Sequence, residues 1–151
     1  MLKNNKIKHN EKQITVDSLE VGKILKMRFY TDDGIVIDKA YESRLKYFVV
    51  IGQIINHGIV GAFLINSNIN PKALIDYQFP LFVKDYPDIL KYNSYLDCSD
   101  IFELDKVKII KSGLEIGKLT EKDLQLVIET IVTSEVLSLK DKKKYGFNDK
   151  K

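Results

Sequence analysis

The chain has 151 residues, of which 44% are hydrophobic and 30% are charged, a balance typical of one soluble globular domain. The longest apolar run, Phe48 to Ile51, is far shorter than the roughly 20 residues of a membrane-spanning helix, and the polar start predicts no signal peptide. The single cysteine, Cys98, excludes an intramolecular disulfide and favours a cytoplasmic location, while its separation from His9 and His57 argues against a metal site.

The net charge of +3 comes from the two ends of the chain. Residues 1–12 carry four Lys and one Glu, and residues 140–151 carry six Lys and two Asp. The remaining residues, 13–139, carry 14 basic and 18 acidic side chains, a net charge of −4. A phosphate-binding surface therefore has to be a local patch on the body or has to use the ends. The alternative is that the terminal lysines are simply solvated.

The N-terminal part of the chain predicts an arm followed by a strand. Residues 1–17 lack sustained apolar periodicity and are predicted to be a flexible basic arm before a single domain at 18–139. Leu25, Met27 and Phe29 alternate with polar residues, which indicates a half-buried strand. A short strand at residues 35–37 follows the Asp-Asp-Gly turn.

The middle of the chain predicts a hairpin. Lys46–Ile55 is rich in β-branched and aromatic residues, as in a strand buried on both faces. Asn56-His57-Gly58 forms the turn, and Ile59–Ile65 returns as the second strand. Further strands are predicted near residues 79–83, 95–104 and 107–110.

The best-defined helix is predicted at about residues 120–133. Thr120 and Asp123 have the spacing of a capping box, and an apolar stripe follows at helical spacing: Leu124, Val127, Ile128 and Ile131. Ser138 with Asp141 caps a second short helix, ending near Gly146, at the start of a lysine-rich tail at 140–151. The elements predict an α+β, mostly β protein: a small SH3-like barrel with a C-terminal amphipathic helix.

Several short motifs occur in the same order as in a known family. Gly22-Lys23-Ile24 opens the first strand, Glu42-Ser43-Arg44 precedes the apolar strand, and Leu64-Ile65-Asn66-Ser67 ends the return strand. A later strand carries Asp97 and Cys98, and Ile116-Gly117-Lys118-Leu119-Thr120 opens the helix. Over about residues 20–133 this order resembles the MazF/PemK toxins, which are small barrels that cut single-stranded RNA.

The resemblance implies a chemistry, a site and partners. It implies a homodimeric, metal-independent endoribonuclease without a cofactor, in which an RNA 2′-hydroxyl attacks its own phosphate. It implies a cognate antitoxin protein as a partner. Arg44 corresponds to the family's catalytic arginine, and Ser67 to its strand-end hydroxyl residue, a donor to a non-bridging oxygen. Glu42 is the candidate general base.

Each of these residues also has a structural interpretation. Arg44 at a loop end can pair with Glu42 or Asp38, and Ser67 beside asparagines and a proline can be a turn residue. Leu45 stands where the family has Pro, and the body is acidic. A second hypothesis is therefore a catalytically inactive barrel that binds protein or nucleic acid. A small-molecule enzyme has no supporting motif.

The remaining candidates are mainly structural. His57 is predicted at the hairpin tip, and Cys98 as a small buried side chain of a strand. A long irregular connection is predicted at residues 71–93, which carry all three prolines. Six aromatic residues cluster around it and can either stack on unpaired bases or close one end of the barrel: Tyr77, Phe79, Phe82, Tyr86, Tyr92 and Tyr95.

Overall fold

A computed structural model describes residues 11–33, 43–67 and 75–147. These residues form eight β-strands and three α-helices, so the prediction of an α+β, mostly β protein is confirmed. The strands are β1 (Lys12–Gln13), β2 (Lys23–Phe29), β3 (Arg44–Ile54), β4 (Ile59–Asn66), β5 (Gln78–Leu81), β6 (Ser94–Asp97), β7 (Phe102–Asp105) and β8 (Leu114–Lys118). The helices are α1 (Lys106–Ser112), α2 (Glu121–Thr133) and α3 (Leu139–Lys144).

The strands form one open antiparallel sheet in the order β1-β8-β2-β3-β4-β6-β5. The predicted hairpin is confirmed as β3 and β4, with Tyr47 opposite Ile65 and a turn that ends at Gly58. Gly58 has a φ of 62°, in the left-handed region that favours glycine. The outer edge of β4 pairs with β7 near the turn and with β6 at its far end. The hairpin is therefore the centre of the sheet.

Both faces of the central strands are buried, as the apolar run in β3 predicts. Phe48 lies in one hydrophobic core with Met27 of β2 and Ile109 of α1. Val49, the next residue, lies in a second core with Ile131 of α2. Successive side chains of a strand point to opposite faces, so one strand serves both cores. Burying a side chain of this kind contributes about 1.5–3 kcal/mol, which fixes the backbone of β3 firmly.

Half of the capping box predicted at the start of α2 is present, and Tyr86 takes the place of the other half. The Thr120 Oγ1 accepts a hydrogen bond from the Asp123 N–H at 3.1 Å. The Asp123 carboxylate accepts a 2.6 Å hydrogen bond from the Tyr86 hydroxyl, which itself accepts one from the Thr120 N–H at 3.0 Å. Burial, and next the bond to Asp123, raise the pKa of Tyr86 to about 12. Tyr86 thereby joins the β5–β6 connection to the start of α2.

The prediction of a strand at residues 107–110 is wrong, because these residues lie in α1. The Asp105 carboxylate accepts a 3.0 Å hydrogen bond from the Val107 N–H and caps the helix. A short apolar run between lysines fits one face of a helix as well as it fits a strand, so periodicity alone could not separate the two. Ile109 is the buried residue of this helix.

Two further strands differ from the prediction. The strand predicted at residues 95–104 is divided into β6 and β7 by a turn, in which Asp97 Oδ1 accepts a 3.0 Å hydrogen bond from the Ser99 N–H. β8 was not predicted, and it pairs with both β1 and β2. The segment just before the α2 cap is therefore part of the sheet.

Parts of the predicted arm and tail are packed against the body. β1 pairs with β8, and α3 begins as predicted, with the Ser138 Oγ accepting a 3.0 Å hydrogen bond from the Asp141 N–H. Tyr145, just after α3, packs on the central hairpin, where a Cβ on Gly61 would lie 2.7 Å from its ring. This contact requires glycine at position 61. The predicted strand at residues 35–37 lies outside the described residues.

Candidate functional site

A groove opens at the end of the central hairpin opposite its turn, where β3 begins and β4 ends. The connection between β5 and β6 forms its other wall. Its volume is about 310 Å³, near the lower end of the roughly 300–1,000 Å³ of small-molecule sites. Its polar lining is Arg44, Lys46, Asn66, Ser67, Lys91, Tyr92 and Ser94. Its apolar lining is Leu45, Tyr47, Ile65, Ile89 and Leu90.

Two of the three predicted site residues line this groove. Arg44 is the first residue of β3 and Ser67 directly follows β4, so the antiparallel pairing brings them to the same end of the hairpin. Both are exposed, and Arg44 forms no ion pair with any other described residue. Glu42, the predicted base, and Asp38, an alternative partner for Arg44, lie outside the described residues.

Lys46 is a groove residue that the sequence analysis missed. It is only 7% exposed, although it lines the groove. Its Nζ donates a hydrogen bond to the Oδ1 of Asn66, the last residue of β4. Burial, and next the charge of Arg44, lower the pKa of Lys46 to about 8, while the Asp97 carboxylate acts in the opposite direction. The groove thus has a recessed amino group beside an exposed guanidinium.

The alternation of side chains along β3 was the signal that could have predicted that Lys46 is buried. Alternate residues of a strand share a face, so Lys46 is on the same face as Phe48 and Val50, both of which are buried. Lysine is among the residues least often buried, which makes an inward position in an apolar strand conspicuous. The prediction placed Lys46 at the end of the strand, where a charged side chain is ordinary.

The groove is lined by positive charge although the body is acidic. Arg44, Lys46 and Lys91 line it, and no carboxylate is among its described lining residues. Asp97 of β6 acts on Lys46 from outside this lining. Its Oδ1 accepts hydrogen bonds of 3.0 Å from the Gln78 Nε2 and from the Ser99 N–H. The groove is therefore a local basic patch of the kind that a phosphate-binding surface on this body requires.

Three of the six aromatic residues considered from the sequence belong to the core. Tyr77 and Phe79 pack against the core that α2 closes, and Tyr86 is buried there. Tyr92 is different, because it lines the groove and is 60% exposed. Tyr47, partly buried, lines the groove as well. The aromatic surface next to the basic patch is thus formed by Tyr92 and Tyr47.

The lone histidine of the body and the cysteine lie away from the groove. His57 is exposed in the turn of the central hairpin, at the end opposite the groove, as predicted. Cys98 is fully buried, as predicted, in the core that α2 closes, but it lies in the turn after β6 and not in a strand. Burial raises the pKa of its thiol. A buried thiol with a raised pKa is a poor nucleophile, so the structural interpretation of Cys98 is the one that fits.

No protein-family model matches this sequence, and no curated protein matches it. Among the described residues, no group of three His, Cys, Asp or Glu side chains could hold a metal ion. Across the same ranges, no helix combines the length and apolar character needed to cross a membrane. What the groove offers is a guanidinium, two amino groups, an amide and hydroxyls, a set of donors suited to a phosphate group.

Proposed function

We propose that the groove binds single-stranded RNA and that the protein is a MazF/PemK-like, metal-independent endoribonuclease. The observation that carries this proposal is the position of Arg44 and Ser67. They are 23 positions apart in the sequence, and both line one groove that also holds Lys46 and Lys91. The cations favour a phosphodiester backbone, and Tyr92 beside them offers a surface on which an unpaired base can stack.

The proposal extends to the fold and the partners. The open sheet, with α2 against one face, is taken as a version of the SH3-like barrel of these toxins. The protein then acts in the cytoplasm as a homodimer and is held inactive by a cognate antitoxin. Tyr145, just after α3, is an addition of this chain to that plan, since it packs on Gly52 and Gly61 in the turn half of the central hairpin, away from the groove end.

The proposed reaction is an internal phosphoryl transfer. The 2′-hydroxyl attacks the adjacent phosphorus, the bond to the 5′-oxygen breaks, and one product ends in a 2′,3′-cyclic phosphate. Arg44 binds two phosphate oxygens through its planar guanidinium, and its charge stabilises the transition state. Ser67 donates a hydrogen bond to a non-bridging oxygen. Glu42, outside the described residues, remains the predicted base for the 2′-hydroxyl proton.

The test is cleavage of a long single-stranded RNA in the presence of EDTA. Wild type is expected to leave 2′,3′-cyclic phosphate ends, and Arg44→Ala to lose about 100-fold or more in rate, as for removal of a transition-state donor. Arg28→Ala is the matched control, because Arg28 is the only other arginine of the sequence and is not in the groove lining. Equal losses in both variants, or intact RNA at enzyme excess, would contradict the proposal.

A second candidate function is RNA binding without cleavage. It is favoured by one observation: the described lining of the groove has neither a carboxylate nor an imidazole to act as an ordinary general base. Under this function the protein binds RNA in the groove but does not cleave it. With three groove cations engaged, the slope of log Kobs against log salt concentration is expected to reach about −2 for a single strand. Binding with that slope and no cut RNA would favour this function.

A further inference from the structure

Lys46 and Arg44 occupy the same groove in different ways. Arg44 is exposed at the start of β3, whereas Lys46 lies two residues further into the sheet and is buried. Within the described part of the chain, the Nζ of Lys46 has the Asn66 Oδ1 as its one hydrogen-bond partner. An ammonium has three N–H groups, so two remain for a ligand. A phosphodiester bound by Arg44 would therefore cover an amino group that is fixed in position and unsaturated.

Lys46 is also suited to release a proton. Burial and the neighbouring Arg44 lower the pKa of Lys46 to about 8, so the group is mainly charged near neutral pH and is a stronger acid than an exposed lysine. A guanidinium holds its proton too tightly for this purpose. Ser67 is a neutral hydroxyl, and Lys91 is exposed to solvent. Among the cations of the groove lining, Lys46 is thus the one suited to donate a proton.

We propose that Lys46 is the general acid that protonates the 5′-oxygen as it leaves. This inference rests on the proposed endoribonuclease function and deepens it. In the step, the 2′-oxygen forms a bond to phosphorus while its proton passes to the general base of the reaction, which later releases it to water. The bond between phosphorus and the 5′-oxygen breaks with its electron pair going to that oxygen. The Lys46 ammonium donates its proton there, and the neutral amine is reprotonated by water afterwards.

A bridging sulfur atom tests this role directly. In an RNA with sulfur in place of the 5′-oxygen at one linkage, the leaving thiolate needs no proton, so loss of a general acid should hardly matter. Lys46→Met and Lys46→Arg are expected to lose about 100-fold or more on the oxygen substrate, the range of general acid catalysis. On the sulfur substrate both should react within a few-fold of wild type. Lys91→Met, a lysine of the same groove, should change both substrates equally.

The outcomes separate the two proposals. If wild type cleaves both substrates and the Lys46 variants are equally slow on both, Lys46 acts by binding or structure and the inference is overturned. If wild type cleaves neither, the endoribonuclease proposal fails and the role of Lys46 fails with it. Lys46→Gln replaces Lys46→Met if the latter does not fold. Binding of a 2′-O-methyl RNA, which cannot react, verifies that RNA still binds in the groove of each variant.

Discussion

Two regions of this molecule bury a lysine, and they do so in opposite ways. Lys46, in the groove, and Lys142, in α3, are each 7% exposed. The Nζ of Lys142 donates to two backbone carbonyls at the end of α2, those of Val132 at 3.0 Å and Ser134 at 2.7 Å. The Nζ of Lys46 donates to one side chain, Asn66, and lies near a second cation.

The difference teaches which buried charge supports the fold. The last carbonyls of a helix lack partners within the helix and lie at its negative end, so an ammonium there satisfies acceptors and is itself stabilised. Lys142 therefore holds α3 across the end of α2. The groove destabilises the ammonium of Lys46, because burial and the charge of Arg44 both disfavour the charged form of this side chain. With the role proposed for Lys46, the groove gives up stability for catalysis.

The largest effect on stability is expected at Lys142. Lys142→Met removes the donor to two carbonyls and should lower the free energy of unfolding by about 2–6 kcal/mol, at 1–3 kcal/mol for each unpaired group. Urea unfolding at pH 7 measures this. Lys143→Met, the exposed neighbour in the same helix, is the control and should change stability by less than about 0.5 kcal/mol. Similar losses in the two variants would show that Lys142 makes no special contribution.

A smaller change of opposite sign is expected in the groove. Lys46→Met removes a charge that the fold disfavours and keeps an apolar stem. The lowering of the pKa from 10.5 to about 8 corresponds to about 3.4 kcal/mol, and leaving the Asn66 oxygen without its donor costs about 1–3 kcal/mol. The free energy of unfolding at pH 7 should therefore rise by about 1–2 kcal/mol. Lys91→Met, exposed in the same groove, should leave it unchanged. A loss of stability in Lys46→Met would place Lys46 with Lys142 as a structural lysine.

The fold was predictable where local pattern and packing agree. The β3–β4 hairpin combines a dense apolar strand, a glycine turn and a second apolar strand, so every local signal points the same way. The start of α2 was predictable from Thr120 and Asp123, although Tyr86 comes from a distant segment and could not be inferred. α1 and β8 were not predictable, because a short apolar run becomes helix or strand according to its neighbours in space.

The site was predictable only in part. The sequence order placed Arg44 before the first strand of one hairpin and Ser67 after its second strand, and antiparallel pairing brings such positions together. The burial of Lys46 could be predicted only from the alternation of side chains along β3, and only after the buried face of that strand was known. Lys142 and Tyr145 were hidden because a lysine-rich composition suggests a solvated tail, whereas burial depends on single positions.

The smallest effect is the pH dependence of the stability that Lys46→Met gains over wild type. The folded pKa of Lys46, about 8, is below the ordinary 10.5, so folding disfavours its charge fully at neutral pH and less as pH rises between these values. The stability gap between variant and wild type should therefore be constant below about pH 7 and shrink through pH 8 to 10.

Urea unfolding of both proteins at pH 7, 8, 9 and 10 measures the gap. The charged groups that face Lys46, namely Arg44 on β3, Asp97 on β6 and Lys91 across the groove, are present in both proteins. The raised pKa of Tyr86 makes both lose stability above pH 10, so this loss cancels in the difference. A gap that stays constant to pH 10 would mean that the ammonium is not disfavoured, and the contrast with Lys142 would then rest on hydrogen bonds alone.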